Sequence, residues 1–389
     1  MTNEAAYWIT LAHLPKWGYS KINNLIIKFF HENQISIVDF FNLSENEWKH
    51  IYELDEKQIT DLKQAKSELA SNAFLAESFL SQGFEITPIT SPEYSKTLKI
   101  NLKTTYSPPV LYTKGNKKIM HENSIAVVGS RTASEVALNF TDNIAMRASK
   151  EYKVIVSGFA KGVDKQALDS AIKYKGQSII VLPQGIMTFT SGFKNYYKQI
   201  INGDVLVLST FPPKAGWSSG LAMARNPIIY GLANEIYVAE SSDKGGTWSG
   251  VIDGLKKRRK IYVRQSELVE KNANNILINK GAIAVDFKGN ELSSNYDTNT
   301  YNQVSVVKEP EEPEEPEELD NLDNKIRSVF NGRPLTAKQL LTKLELDWTT
   351  QKLNNYLKRL DFIENVKEKR TNLYKLKGTN DSNQPTLFG

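Results

Sequence analysis

The stretch that decides the fold reads Val127-Val128-Gly129-Ser130-Arg131, and a second of the same kind follows as Val156-Ser157-Gly158-Phe159-Ala160-Lys161-Gly162-Val163-Asp164. In both, an apolar strand passes into a helix through glycine and a small hydroxyl residue. The first turn of a helix leaves its backbone N–H groups unpaired and carries partial positive charge, which suits a phosphate. Ordinary turns of a doubly wound sheet are the alternative. Because each turn also carries a cation, Arg131 or Lys161, the pair favours phosphate binding.

The surrounding chain, from residue 125 to about 287, alternates short β-branched runs with amphipathic stretches. The predicted strands cover residues 125–129, 154–157, 178–182, 205–209, 235–239 and 260–263. Unbroken apolar runs at this spacing are typical of a parallel sheet that is covered on both faces. We therefore predict an α/β fold with a doubly wound, mostly parallel sheet. Ligands of such sheets bind at the carboxyl ends of the strands, where both glycine turns fall.

The chain before the sheet reads as helical from residue 5 to about 85. Apolar residues recur at helical spacing over residues 22–30, and Ser44-Glu45-Asn46-Glu47 offers a capping box ahead of Trp48. The turn over residues 14–20 resembles the hairpin of helix-hairpin-helix domains without its usual second glycine, and we favour a structural role for it over DNA binding. This region is predicted to be a small helical domain of the SAM or helix-hairpin-helix type.

The chain after the sheet begins with a linker of Glu and Pro at residues 309–318, which should be extended and solvated. Predicted helices at 324–330, 336–344 and 349–360 then precede strands at 362–366 and 373–376. Three helices and a hairpin predict a winged helix. It could contact a protein or duplex DNA, and we slightly favour DNA. The side chains for that contact are Lys352, Lys358, Arg359, Lys367, Lys369 and Arg370.

Five segments follow from these patterns. They are a helical domain at residues 1–85, a Rossmann-like domain at 86–300, an acidic linker at 301–318, a winged helix at 319–377 and a tail at 378–389. The tail carries Gln384, Leu387 and Phe388, an arrangement that resembles the short peptide by which bacterial proteins dock on the replication sliding clamp. An inert frayed tail is the alternative, and we favour it.

Composition restricts the function further. The net charge is +5, but residues 309–323 hold seven Glu and two Asp without Lys or Arg, so the rest of the chain is considerably more basic. Such a surplus suggests a polyanionic partner, although surplus lysine can also serve solubility. With no cysteine and four histidines, we expect no disulfide, no metal site and no cofactor. The N-terminus does not resemble a signal peptide, and we expect a cytoplasmic protein.

Six motifs, taken in order and spacing, resemble the DNA-processing protein A (DprA/Smf) family. They are Leu14-Pro15, residues 108–116, Gly129-Ser130-Arg131, residues 157–164, Phe211-Pro212-Pro213 and residues 225–232. The resemblance implies an extended Rossmann-like fold that forms a homodimer and binds single-stranded DNA in a basic pocket at the tops of the strands. It also implies a recombination mediator that loads RecA onto incoming single-stranded DNA in natural transformation.

The resemblance assigns DNA contact to Arg131 and Arg225 and, less directly, to Ser130, Ser157, Gly158 and Lys194. Gly129, Lys161 and Asn226 complete the predicted DNA-binding set. Arginine suits phosphate because its planar fork donates two hydrogen bonds and can stack on an unpaired base. For Arg225, an ion pair that pins a helix start is an equally good alternative.

The chain departs from the family pattern in several turns and is predicted to be a divergent member. The usual Gly-x-Gly-x-Asp turn with its Tyr-Pro dipeptide is replaced at residues 183–187, and Pro227 stands where the second arginine of an Arg-Asn-Arg triplet is expected. Residues 245–250 replace a Ser-Gly-Ser-Leu turn, and Leu168 replaces a histidine. Relative to the family, this chain therefore lacks the cation at position 227, and its pocket differs at the turn of residues 183–187.

An enzyme is the main alternative to a binding protein. Gly245-Gly246-Thr247 resembles a turn of enzymes with related folds that cleave nucleotides or nucleosides. The glutamate that should follow this turn is missing, and Asp253 is the nearest acid. General acid–base hydrolysis needs a positioned carboxylate. The dinucleotide fingerprint and the Walker sequence are also missing. We therefore predict a protein that is not an enzyme, with a nucleotide- or nucleoside-binding or cleaving Rossmann-like enzyme as the alternative.

Overall fold

The computed structural model describes residues 2–267, 269–292, 325–330, 334–344, 350–357, 360, 362–368 and 371–376. The chain divides into two compact units, Met1–Ser294 and Asn295–Gly389. None of the described helices is long and apolar enough to cross a lipid bilayer.

The first unit is built on a nine-stranded sheet with the order β1-β2-β6-β5-β4-β3-β7-β8-β9. Its strands are β1 (Glu85–Pro88), β2 (Val110–Lys114), β3 (Ser124–Gly129), β4 (Val154–Ser157), β5 (Ser178–Val181), β6 (Val205–Ser209), β7 (Glu235–Glu240), β8 (Ile261–Arg264) and β9 (Ile283–Val285). The seven strands from β6 to β9 are all parallel, whereas β2 pairs antiparallel with both β1 and β6. The prediction of an α/β fold with a mostly parallel sheet is confirmed.

The described part of the first unit also contains fourteen α-helices. Six precede the sheet: α1 (Thr2–Ala12), α2 (Tyr19–Ile26), α3 (Ile37–Asn42), α4 (Glu45–His50), α5 (Glu56–Ser67) and α6 (Leu69–Ser81). Eight lie among the strands: α7 (Lys96–Tyr106), α8 (Glu135–Lys150), α9 (Val163–Lys173), α10 (Thr190–Asn195), α11 (Tyr197–Asn202), α12 (Ser219–Leu232), α13 (Gly245–Lys256) and α14 (Asn274–Asn279). A π-helical segment, Ile27–Glu32, extends α2.

Both faces of the sheet are covered, because successive side chains of a strand point to opposite faces. On β3, Ala126 and Val128 join a core with α7, α12, α13 and α14, whereas Ile125 and Val127 join a core with α8 and α9. The helices α1 to α6 share a third core with β2, β5 and β6. The predicted domain boundary at residue 85 stays a prediction.

The sequence located most of these elements. All six predicted strands lie within one residue of the observed bounds. The capping box is also present, since Ser44 Oγ accepts a hydrogen bond from Glu47 N at 3.3 Å and Glu47 Oε2 accepts one from Ser44 N at 2.7 Å. The strands β1, β2 and β9 were not predicted. β1 is not a continuous apolar run, β9 has only three residues, and β2 is placed by antiparallel pairing with β6, which lies far along the chain.

The second unit contains a helix over residues 325–329 (α15), the helices α16 (Ala337–Leu344) and α17 (Thr350–Leu357), and a three-stranded antiparallel sheet. Its strands are β10 (Leu335–Thr336), β11 (Ile363–Glu368) and β12 (Thr371–Leu376), in the order β10-β12-β11. The winged helix stays a prediction for this unit. The predicted linker at 301–318, the tail residues Gln384, Leu387 and Phe388, and Lys358, Arg359, Lys369 and Arg370 lie outside the described residues.

Candidate functional site

A cavity of about 400 Å³ lies at the carboxyl edge of the sheet, beside the neighbouring strands β3 and β7. From β3 the chain continues to one side of the sheet, through β4, β5 and β6, and it returns on the other side at β7. Such a reversal of strand order opens a crevice in which doubly wound proteins bind ligands. The cavity is lined by residues 128–131, Ala160, Asp164, Ser219, Ala222, Met223, Arg225, Asn226, Ile229, Tyr230, Ser242 and residues 244–247.

The two glycine turns interlock beside this cavity. Val163 N, at the start of α9, donates a hydrogen bond to Ser130 O at 3.2 Å. A Cβ atom at Gly129 would lie 2.6 Å from Val163 Cγ2, and one at Gly162, where φ is +77°, would clash with the carbonyl oxygen of Ser130. The glycines are therefore required for the close approach of the two turns.

Arg225 forms part of the cavity floor, and its side chain is buried, with the residue only 3% exposed. Its Nη1 donates a hydrogen bond to Val181 O at 2.7 Å, and its Nη2 lies 4.0 Å from Asp164 Oδ2. The guanidinium fills the space where a side chain at Gly158 would stand. Its Nε has no hydrogen-bond partner among the described residues. Arg225 thus has the acidic neighbour that the alternative role requires, while its Nε–H is left without a partner among the described residues.

Asp164 is the acidic partner of this arginine, and it is also buried. Burial raises the pKa of its carboxyl, while Arg225 and backbone hydrogen bonds from Ala160 and Gly158 act in the opposite direction. Burial likewise lowers the pKa of Arg225, against the effect of Asp164. The two groups thus depend on each other to remain charged inside the protein.

Two cations at the cavity rim have a different environment. Arg131 and Lys244 both line the cavity and are exposed. Neither side chain forms a hydrogen bond or an ion pair with any described residue. Free cations beside a cavity are available to an anionic ligand.

The start of α13 adds backbone donors to the same rim. Its N-cap residue, Lys244, makes no side-chain capping hydrogen bond, and Gly245 has φ of +89° with nothing within 4 Å of a Cβ position. Thr247 Oγ1 donates to Gly129 O at 3.1 Å, which ties this helix start to the turn after β3. A helix start that lacks a cap presents unpaired N–H groups and partial positive charge to the cavity.

The start of α8, which follows Arg131 in sequence, is closed instead. Ser134 Oγ accepts a hydrogen bond from Ala137 N at 3.2 Å, and the carboxylate of Glu240 accepts hydrogen bonds from Ser134. Glu135 places a second acid in the first turn. This helix start already holds its own negative charges.

The structure brings together five of the nine predicted site residues: Gly129, Ser130, Arg131, Arg225 and Asn226 all line the cavity. Ser157, Gly158, Lys161 and Lys194 do not line it. Ser157 is buried and donates to Val127 O at 3.0 Å, and Gly158 packs against the Arg225 guanidinium. Lys161 and Lys194 are exposed elsewhere. DNA contact by any of the nine stays a prediction.

The sequence analysis does not place Lys244 at the site, and it includes Thr247 only through the turn Gly245-Gly246-Thr247 of the enzyme alternative. The structure shows the same turn to be a helix start without a side-chain cap. Among the described residues, no group of three or more acidic or histidine side chains could hold a metal ion.

The family model and the curated relatives that match this chain all indicate the same family. The profile of the DNA recombination-mediator protein A family matches residues 85–296. DNA processing protein DprA of Streptococcus pneumoniae is 30% identical over 171 residues, which cover 44% of this chain and 60% of that protein. DNA processing protein DprA of Bacillus subtilis is 27% identical over 208 residues, covering 52% of this chain and 69% of that protein.

A solved structure shows the same fold. The X-ray structure of DprA from Streptococcus pneumoniae aligns with a TM-score of 0.59 at 24% sequence identity, covering 73% of this chain and 95% of that chain.

Proposed function

The chain belongs to the DNA recombination-mediator protein A (DprA/Smf) family, and from this membership we propose that it binds single-stranded DNA at the cavity beside β3 and β7. The observation that carries the proposal is the rim of that cavity. Two exposed, unpaired cations, Arg131 and Lys244, stand next to the uncapped start of α13. This arrangement is suited to a phosphate backbone.

The mechanism is binding without chemistry on the DNA. Phosphates are held by the two rim cations and by backbone N–H groups of α13. Binding therefore does not depend on base sequence. Displacement of counterions from the strand makes the affinity fall steeply with salt. As a recombination mediator, the protein holds the strand and hands it to RecA.

The alternative is a nucleotide- or nucleoside-cleaving enzyme of the same superfamily. The one carboxylate among the lining residues is Asp164, and it faces Arg225 on the cavity floor. A catalytic acid or base must reach the scissile bond with its proton. A buried carboxylate engaged with an arginine is poorly placed for that task, and this favours binding over hydrolysis.

Two further partners are part of the proposal, RecA and a second copy of this chain through the Rossmann-like domain. For Gln384, Leu387 and Phe388, docking on the sliding clamp stays the less favoured alternative to an inert tail. Two copies would double the DNA sites and raise the avidity for a long strand. The predicted winged helix adds a contact with duplex DNA or with a protein.

The test is a fluorescence-anisotropy titration of the full chain with labelled oligo-dT and with a duplex of equal length, across a salt series. We expect tighter binding to the single strand and a linear fall of log affinity with log salt concentration. Equally weak binding to both DNAs would contradict the proposal, and the labelled probe would then be replaced by a mononucleotide to test the enzyme alternative.

A further inference from the structure

One tryptophan is exposed near the rim of the cavity. Trp217 is 58% exposed, whereas Trp8, Trp17 and Trp48 are at most 8% exposed. Trp248 is partly buried against a core. Tryptophan is highly buried on average because its ring is a large apolar surface. An exposed indole therefore suggests a contact that the isolated chain does not make.

The backbone on both sides of Trp217 is fixed by hydrogen bonds. Before it, Gly185 N donates to Ala215 O at 2.8 Å, and Ala215 N donates to Pro212 O at 2.8 Å. After it, Ser218 Oγ accepts a hydrogen bond from Leu221 N at 3.1 Å and so caps α12. The indole is thus carried by a short segment that is anchored at both ends.

The ring itself has no partner within the described part of the chain, neither an aromatic or cationic side chain nor a hydrogen-bond acceptor for its N–H. Its sequence neighbours Gly216, Ser218, Ser219 and Gly220 are all exposed. With small exposed neighbours and 58% of its own surface exposed, Trp217 is accessible for stacking.

The segment lies next to the proposed DNA site. Ser219, two residues after Trp217, lines the cavity, and so does Met223 one turn further along α12. Two residues span at most about 7 Å of backbone, roughly the spacing of neighbouring nucleotides in an extended strand. A strand with one phosphate beside Ser219 can therefore place an adjacent base beside Trp217.

We propose that Trp217 stacks on an unpaired base of the strand whose phosphates occupy the rim, and that this contact makes the site prefer single-stranded over duplex DNA. The inference rests on the proposed function. Aromatic side chains stack on any base, because every base has a π-face, so the contact adds affinity without reading sequence. The bases of a duplex are already stacked on each other and cannot use the platform.

The test compares Trp217→Ala and Trp217→Phe with the wild-type chain on three probes: oligo-dT, an abasic oligonucleotide of equal length, and a duplex. We expect Trp217→Ala to weaken oligo-dT binding about 5- to 100-fold, as loss of one base stack predicts. Trp217→Phe keeps an aromatic face and should lose much less. For the abasic probe, and likewise for the duplex, the affinity should be the same for the wild type and for Trp217→Ala.

A matched control is Tyr152→Ala, which removes another exposed aromatic ring. Tyr152 is 91% exposed and follows α8, at the amino edge of the sheet and therefore opposite the cavity. It should leave all three affinities unchanged. Quenching of tryptophan fluorescence by oligo-dT should also shrink in Trp217→Phe, which gives a readout independent of affinity.

Two outcomes separate the inference from the function on which it rests. If the wild type binds oligo-dT tightly and Trp217→Ala binds it equally well, the stacking inference is wrong and the proposed function stands. The inference also fails if Trp217→Ala weakens abasic and oligo-dT binding alike, since the role of the residue is then unrelated to bases. If the wild type does not bind oligo-dT at all, the proposed function and the inference both fail.

Discussion

The floor and the rim of the cavity each carry an arginine, and the two side chains have opposite environments. Arg225 on the floor is buried and faces Asp164 and Val181 O, whereas Arg131 on the rim is exposed and has no side-chain partner among the described residues. The family resemblance gave both arginines the same role. The difference shows that two arginines which line one cavity can have opposite environments, one engaged within the fold and one exposed at the edge.

The two helix starts at the same edge of the sheet repeat this contrast. The start of α8 is capped by Ser134 and carries Glu135 and Glu240 close by, whereas the start of α13 has no side-chain cap. Both follow glycine- or serine-containing turns after a strand. A ligand anion gains more at α13, because its N–H groups are not already paired.

The largest expected effect concerns the floor. Arg225→Met removes the cation that faces Asp164 and leaves a buried carboxylate without its opposite charge, held only by backbone hydrogen bonds. Removing one partner of a buried pair costs about 3–5 kcal/mol, so we expect a loss of that size in the free energy of unfolding. Urea denaturation at pH 7 measures it. Arg225→Met with Asp164→Asn should recover most of the loss, because the second change removes the unpaired charge.

The pH dependence of Arg225→Met sharpens the same test. Without the arginine, burial raises the pKa of Asp164 further, because only the backbone hydrogen bonds from Ala160 and Gly158 and the charge of Arg131 still oppose it. The unfolded chain then loses this proton from about pH 4, while the folded variant retains it, so stability falls as the pH rises. A variant that is stable at pH 7 yet no longer binds oligo-dT would show instead that Arg225 belongs to the ligand contact and not to the fold.

The next effect concerns the rim. Arg131→Ala and Lys244→Ala should each weaken oligo-dT binding about 3- to 10-fold and should reduce the slope of log affinity against log salt by roughly 0.7, the value for one phosphate contact on a single strand. Because both side chains are exposed and unpaired, stability should change by less than about 0.5 kcal/mol. Anisotropy titrations and urea denaturation give the two numbers.

The control for the rim is Lys150→Ala, which removes an equal charge from an exposed residue at the end of α8, on the amino edge of the sheet. It should leave the salt slope unchanged. If Lys150→Ala reduces the slope as much as Arg131→Ala, binding depends on overall charge and the rim has no special role.

Much of the sheet could be predicted from the sequence because its strands are continuous apolar runs ended by glycine turns. The residues 125–129 and 154–157 needed only local information. In contrast, β1 (Glu85–Pro88) is not a continuous apolar run, and β2 is placed by pairing with β6, which lies far along the chain. Strands that depend on such distant pairing carry little local signal.

The site could be predicted only in part for a related reason. Gly129, Ser130 and Arg131 were found because the turn itself carries the chemistry. The burial of Arg225 depends on the missing side chain at Gly158 and on Asp164, both brought together from another strand–helix turn. Whether a helix start is open or closed depends likewise on contacts across the sheet edge, such as Glu240 with Ser134.

The smallest expected effect distinguishes the closed helix start from the open one. Glu240→Gln removes a negative charge near the rim while leaving an amide oxygen to accept from Ser134, so oligo-dT binding should tighten about twofold at low salt and the gain should vanish as salt screens it. Stability should fall by no more than about 1 kcal/mol, the usual range for one charge at a helix start.

Glu122→Gln, at an exposed residue just before β3 on the opposite edge, is the matched control and should leave binding unchanged. A gain much larger than this twofold effect would mean that the start of α8, once freed of its acid, also accepts a phosphate, and the contrast between the two helix starts would then be one of charge and not of geometry.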